Sequence, residues 1–220
     1  MKLSKETLAT FKNFSSINSN LTLKPGSKIT TISTGKNIIA EATVTETFPN
    51  DFGIYDLNEF LGAMSLFTDP DLDFQDKYVT ISEGKNNVRY FAANQSILTV
   101  VPNIKQFPDV DVSFDLSAQM LSQIQRVASI LRVSDFSIVG DGTDLSIEVG
   151  DKSNPTSNSY KSEIGVTDKT FRCNIKVENM KMAPGDYTVS IGGKKISQFV
   201  NNSQDLKYFV ALELDSTFDF

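Results

Sequence analysis

The pattern of apolar residues along this chain runs through one succession and then starts again. A helix-period stripe is followed by strand-like segments, a second helical stretch and more strands. After Pro102 the same order returns. Ser4 is a good N-cap, and Leu8, Phe11, Phe14 and Ile17 follow it at spacing three. In the second pass Leu116-Ser117 resembles Leu3-Ser4. Ser117 caps a predicted helix whose Met120, Leu121, Ile124, Val127 and Leu131 face one way. A second helix is expected over 56–67, with Asp56 and Glu59 as a capping box and Phe60, Leu61, Met64 and Phe67 buried. A short fourth helix is expected over 177–182, stopped by Pro184-Gly185. Segments rich in Ile, Val, Thr and Phe predict strands at 28–34, 38–45, 51–55, 78–82, 88–92 and 97–101. The second half adds 136–139, 145–149, 161–166, 170–175, 187–191, 195–199 and 207–214. Phe91 and Asn94 match Phe199 and Asn202 at one offset, and Tyr78 and Gly84 match Tyr187 and Gly193 at an offset one larger. The chain therefore reads as an internal duplication of about 110 residues. Residues 1–108, ending in an extended connector at 102–108, form one domain, and 109–220 form the other.

Composition narrows the function. At 220 residues the chain can bury two ordinary cores. It contains no histidine and a single cysteine, Cys173. Ser-His and Cys-His catalysis, an intrachain disulfide and a cysteine zinc site are thereby excluded. No run of about 18 apolar residues occurs, so no membrane span is expected. The opening residues lack the apolar core of a signal peptide. The net charge of −6 argues against a wholly basic surface but leaves room for a local basic face.

The remaining candidate chemistry is thin. Asp69, Asp71, Asp73 and Asp76 have the spacing of a calcium loop, yet Phe74 stands where the sharp turn needs glycine and Thr80 where a bidentate glutamate belongs. A solvated acidic loop is the expectation, with no metal. Gly140-Asp141-Gly142 and Gly192-Gly193-Lys194 fit hairpin turns better than phosphate loops. Cys173 reads as a small buried hydrophobe. No nucleophile has a visible base, so no catalytic residue and no cofactor is expected.

The helices say more. Lys5 and Lys12 share a line on the first, roughly 140° from the centre of its apolar stripe. Arg126 lies opposite the apolar side of the third helix with Ser122, Gln125 and Ser129, and Arg132 ends it. Lys176 and Lys181 flank and occupy the short fourth. These six are candidates for a phosphate-facing surface; the plainer reading is ordinary solvated helix faces.

Several stretches carry a resemblance to a known family. Met1-Lys2-Leu3-Ser4-Lys5, Lys12-Asn13-Phe14, Ile54-Tyr55-Asp56-Leu57-Asn58 with Phe60-Leu61-Gly62, Asn179-Met180-Lys181-Met182 with Pro184-Gly185, and Val210-Ala211-Leu212-Glu213 with Asp215-Ser216-Thr217 and Asp219-Phe220 resemble the DNA polymerase sliding clamps of T-even-type phages. The likeness runs from the first residue to the last. It implies a duplicated α+β clamp fold, with helices lining a ring and antiparallel sheets outside. It also implies a homotrimer encircling duplex DNA without sequence preference, opened by a clamp-loader ATPase. Such a clamp tethers the replicative DNA polymerase, supports late-transcription factors, and acts in the cytoplasm of an infected bacterium. Ser129, where another basic residue is expected, and the Ser/Asn-rich stretch 151–160 depart from the pattern.

Two surfaces follow from this reading. Ile104 and Phe107 in the connector, with Leu212 and Leu214 near the end, are candidates for a pocket that takes apolar side chains of partner peptides. Leu98 and Val100 in one subunit and Ile164 in the next are candidates for the subunit joint, along strands 97–101 and 161–166. The alternatives are a monomeric DNA-binding processivity factor of the same fold, a metal-dependent nuclease using Asp69 to Asp76, and a structural virion protein.

Overall fold

Ser4 lies in extended backbone and its hydroxyl accepts from the Thr7 N–H at 3.1 Å, so α1 (Lys5–Ile17) starts where the sequence places a cap. The computed structural model describes residues 1–102, 107, 109–154, 156–192 and 195–219. The chain divides into two units. The first is Met1–Asn103 with Asp205–Lys207, and the second is Ile104–Gln204 with Tyr208–Phe220.

In the first unit α1 buries Thr7, Phe11, Phe14 and Ile17. Leu8, expected on that stripe, is half-buried. Thr7 can go inward because its hydroxyl donates to Glu46 Oε2 at 2.5 Å, which satisfies the one polar group it carries. Four strands follow: β1 (Leu21–Leu23), β2 (Gly26–Ile32), β3 (Ile38–Phe48) and β4 (Phe52–Ile54). β1 pairs with β4 and β2 with β3, both antiparallel, and α1 packs on β2 and β3. The second helix, α2 (Leu57–Met64), is capped by Asp56, whose carboxylate accepts from the Asn58 and Glu59 N–H groups. It ends three residues sooner than expected. Phe60 meets Phe11 at 6.2 Å between ring centroids and Tyr90 at 5.3 Å, which joins the two helices and the next sheet in one aromatic core. Burying each phenyl ring completely contributes about 2 kcal/mol. That sheet is β5 (Asp71–Phe74), β6 (Tyr78–Glu83) and β7 (Asn86–Phe91), in that order.

Two expectations for this unit fail. The acidic segment is partly strand rather than loop: Asp71 and Asp73 alternate with the buried Leu72 in β5, and Asp69 pairs with Lys2. Residues 97–101 are not a strand. Asn94 caps a single 3-10 turn, Gln95–Ile97, and the backbone beyond it is held by side chains instead of a ladder. The Thr99 N–H donates to Asn20 Oδ1 at 3.0 Å, and Asn18 Nδ2 donates to the Thr99 hydroxyl at 3.2 Å. Two asparagines in the loop after α1 thus supply what a neighbouring strand would have supplied.

The second unit repeats the scheme. β8 (Val112–Leu116) leads into α3 (Ala118–Leu131), capped by Ser117, whose hydroxyl accepts from the Met120 N–H at 3.1 Å. Then come β9 (Asp135–Asp141), β10 (Asp144–Gly150), β11 (Tyr160–Val166) and β12 (Thr170–Lys176). β13 (Tyr187–Gly192), β14 (Ile196–Asn201), β15 (Leu206–Ala211) and β16 (Thr217–Phe218) complete it. One sheet has the order β11-β10-β9-β12-β16, and β15, β14, β13 and β8 adjoin in another. The expected turn after β9 forms at Gly142 (φ 89°), with Asp141 Oδ1 accepting from the Thr143 and Asp144 N–H groups. Leu121, Ile124 and Ala128 bury the inner side of α3, which packs on β10. Phe136, Ile138, Ile147, Val149, Cys173 and Ile175 are completely buried. Burial pushes the Cys173 thiol up to about 12, in keeping with an inert core residue. Gly193 and Lys194 of the expected hairpin turn and the connector residue Ile104 lie outside the described residues, while Gly192 ends β13.

The fourth helix does not form. Residues Val177–Asn179 make one 3-10 turn, and Met180 leaves it at φ −82°, ψ 56°. Gln125 on α3 donates through Nε2 to the Met180 carbonyl at 2.8 Å, so this segment is tied to α3 by a side chain.

Candidate nucleic-acid interface

The outward faces of α1 and α3 hold the strongest of the sequence candidates. Lys5 and Lys12 are exposed on α1, and Arg126 is exposed on α3. None of these three side chains has a hydrogen-bond or ion-pair partner among the described residues. α3 carries no carboxylate anywhere along its length. Around Arg126, Gln119, Ser122, Gln123, Val127 and Ile130 line a shallow groove of about 500 Å³. Sequence reading passed over Gln119, Gln123 and Ile130. The available signal was the absence of acidic residues from a 14-residue amphipathic helix, in a chain with 27 of them.

The other basic candidates differ among themselves. Arg132 is exposed and ends α3 in the left-handed region, φ 55° and ψ 45°. Lys181 is half-buried in the irregular stretch after the 3-10 turn. Lys176 is committed elsewhere. Its ammonium lies 2.6 Å from the carboxylate of Asp135, which is 4% exposed, and that hydrogen bond is the main cause of its raised pKa. A buried carboxylate left without its cation is strongly disfavoured, so the first duty of Lys176 is to the core.

The entry to α1 is set by a residue the sequence did not flag. Glu46 on β3 accepts from the Ser4 N–H, from the Thr7 hydroxyl and, at 3.2 Å, from the Thr45 hydroxyl. Burial raises its pKa, but the hydrogen bonds from Thr7 and Ser4 outweigh that and hold it below the usual carboxylate range. A carboxylate at a helix N-terminus also meets the positive end of the helix dipole.

The remaining candidates scatter. Phe107 is half-buried and its ring lies 6.2 Å from that of Phe209. Leu212 is a core residue at 6% exposure, and its N–H donates to the Lys195 carbonyl, whereas Leu214 is 88% exposed. Leu98 is likewise a core residue, against Gly53, where a β-carbon would come within 2.7 Å of its Cδ1. Val100 is exposed. Ile164 is half-buried on β11, an edge strand. Among the described residues no group of three His, Cys, Asp or Glu is placed to hold a metal ion.

A duplicated α+β scaffold that presents unpaired cations from two capped helices belongs to the class of DNA clamps. Comparison with known proteins agrees. The family model of DNA polymerase processivity factors matches residues 4–100, and that of the gp45 sliding clamp C-terminal domain matches residues 113–214. The sliding clamp of Vibrio phage KVP40 is 32% identical, covering 97% of this chain and 99% of its own. That of Enterobacteria phage T4 is 34% identical over the full length of both. Among solved structures, PCNA of A. fulgidus, determined with the C-terminal region of FEN-1, superposes with a TM-score of 0.72 at 12% identity, covering 99% of this chain and all of the other. The chain belongs to the phage sliding-clamp family of DNA polymerase processivity factors. It works as a clamp for a DNA polymerase on DNA, a scaffold rather than an enzyme, and the nuclease reading of Asp69 to Asp76 falls with that assignment.

Proposed function

We propose that three copies join head to tail into a ring around duplex DNA, with Lys5, Lys12 and Arg126 facing the phosphates and Arg132 and Lys181 beside them. The observation that carries this reading is the pairing of opposites on α1 and α3. One side of each helix is buried in its own unit, and the other presents cations with no partner among the described residues. Contacts of this kind hold the backbone without reading bases, which suits a protein that must move along DNA. Lys176 contributes only at the margin, because its ammonium is held by Asp135.

Each unit supplies an edge strand for head-to-tail joining. In the second unit it is β11, with Ile164, as the sequence suggests. In the first unit it is β7, since residues 97–101 form no strand. Leu98 is then a support of the core, and Val100 is an exposed neighbour. A partner peptide has Phe107 and Leu214 as apolar contacts, together with Ile104 of the connector, while Leu212 belongs to the core. That the C-terminal region of FEN-1 binds A. fulgidus PCNA, which shares this fold, supports the docking of a partner segment on this chain, and we extend that to the polymerase, the clamp-loader ATPase and late-transcription factors. The phage origin of the relatives supports action in the cytoplasm of an infected bacterium, and no described helix is long and apolar enough to cross a membrane.

The test is charge reversal, Lys12→Glu with Arg126→Glu, on a primed circular template. The double variant is expected to assemble but to load poorly and support short products. Long synthesis at the wild-type level in low salt would remove these residues from the path of DNA. A monomeric processivity factor of the same fold would instead sediment as one subunit at every concentration.

A further inference from the structure

The outward side of α3 sets uncharged donors beside its exposed cation. Gln119, Ser122 and Arg126 follow one another at spacings of three and four. They therefore fall within about 60° of one another and span about 10 Å of helix axis. All three are exposed, and all three line the groove of about 500 Å³ on this helix. The helix holds no carboxylate and none lines the groove, so no local charge repels a polyanion there.

The neighbouring amides of α3 are engaged within the protein. Gln123 donates through Nε2 to the Tyr160 hydroxyl at 2.8 Å, and Gln125 to the Met180 carbonyl at 2.8 Å. Gln119 and Ser122 have no hydrogen-bond partner among the described residues. For Ser122 this departs from what helical hydroxyls do elsewhere in the chain. On α1, Thr10, Ser15 and Ser16 each turn back to donate to a carbonyl of their own helix, those of Glu6, Lys12 and Asn13, at 2.9, 2.9 and 2.6 Å. The Ser122 hydroxyl makes no such bond, so its proton is available to a ligand. Ser129 is likewise without a partner among the described residues, but it does not line the groove.

We infer that Gln119 and Ser122 donate hydrogen bonds to phosphate oxygens next to the phosphate that Arg126 meets, so that the contact of α3 with DNA is largely uncharged. This rests on the reading of Arg126 as a phosphate contact given above and names the rest of that contact. Side-chain amides and hydroxyls are ordinary partners of the phosphate backbone, and they read no bases there. They differ from a cation in one measurable respect. A cation that neutralises a phosphate releases condensed counterions, so its share of the affinity falls as salt rises. A neutral donor releases none, and its share persists at salt concentrations where that of Arg126 has faded.

The experiment is fluorescence anisotropy of a labelled 30-base-pair duplex titrated with the full-length chain, from very low salt to about 150 mM. Circular dichroism and sedimentation confirm that each variant is folded and assembled as wild type. Alanine suits exposed helix positions, so Gln119→Ala with Ser122→Ala should fold normally. This pair is expected to weaken binding about fivefold at every salt concentration, leaving the slope of log affinity against log salt unchanged. Arg126→Ala should weaken binding most at low salt and flatten that slope by about 0.9 for each phosphate released. Gln119→Lys, which puts a charge where the amide was, should tighten binding at low salt and steepen the slope. Affinity unchanged in the alanine pair overturns the inference and leaves Arg126 as the contact. A loss that flattens the slope as Arg126→Ala does would overturn it too, because the two residues would then act by holding Arg126 in place. If wild type does not bind at the lowest salt, or Arg126→Ala binds as wild type does, the phosphate-facing reading of α3 itself is wrong.

Discussion

Arg132 shows what a single residue can reveal that a pattern cannot. It closes α3 in the left-handed region at φ 55°, a place where helices ordinarily put glycine. A β-carbon costs about 1–2 kcal/mol in that conformation, against which glycine loses about 0.5–1 kcal/mol of extra chain entropy on folding. Arg132→Gly is therefore expected to raise the unfolding free energy by about 0.5–1 kcal/mol in urea titrations. Retaining a strained arginine makes sense if its charge is used. The same variant should then load onto DNA less well as salt rises, and a more stable protein that loads normally would show that the charge is idle. Arg132 was legible in the sequence as a helix end, but its strain was not. Asn or Gly advertises a left-handed cap, and arginine does not. Lys176 is the reverse case: the sequence shows a cation beside a turn, and only the fold brings the buried Asp135 to within 2.6 Å of it.

At the scale of elements, the helices that carry both a cap and an apolar stripe were readable and the short pieces were not. Ser4, Asp56 and Ser117 each cap the helix their spacing announces. Residues 97–101 and 177–182 misled because apolar content alone cannot tell a strand or helix from a turn tied down by distant side chains, here Asn18, Asn20 and Gln125. Glu46 belongs to the same class of long-range tether, and its effect on α1 can be measured. Its native pKa is depressed, so its stabilising contribution is complete above the ordinary carboxylate range and is lost as pH falls through the native value. Glu46→Gln keeps one acceptor oxygen and removes the charge. It should lower stability by about 1 kcal/mol at pH 7, with the gap from wild type closing as the pH drops below about 4. A gap of constant size from pH 7 to pH 3 would mean that Glu46 acts by packing rather than by its charge.

For the whole molecule, the proposed ring separates how the protein is held on DNA from how tightly it touches DNA. The chain is acidic overall, with net charge −6, and the unpaired cations of α1 and α3 are few. Weak phosphate contacts of this number would not keep a monomer on DNA at physiological salt, since each contact adds to the steepness with which affinity falls. Encirclement does not depend on them, because a closed ring leaves only over a free end or by opening. Clamp loaded onto a nicked circular plasmid by its loader and ATP should therefore stay bound through gel filtration at a salt concentration that strips free clamp from DNA. A single restriction cut should release it within minutes, and blocking both ends of the linear product with bulky end-bound protein should prevent that release. Retention that ignores the cut would point to a clamp gripping one face of the duplex by charge, and the monomeric reading would then take precedence. Retention that is lost on cutting but unaffected by Lys12→Glu with Arg126→Glu would place the cations in loading rather than in holding, because a ring that is already closed has no need of them to remain.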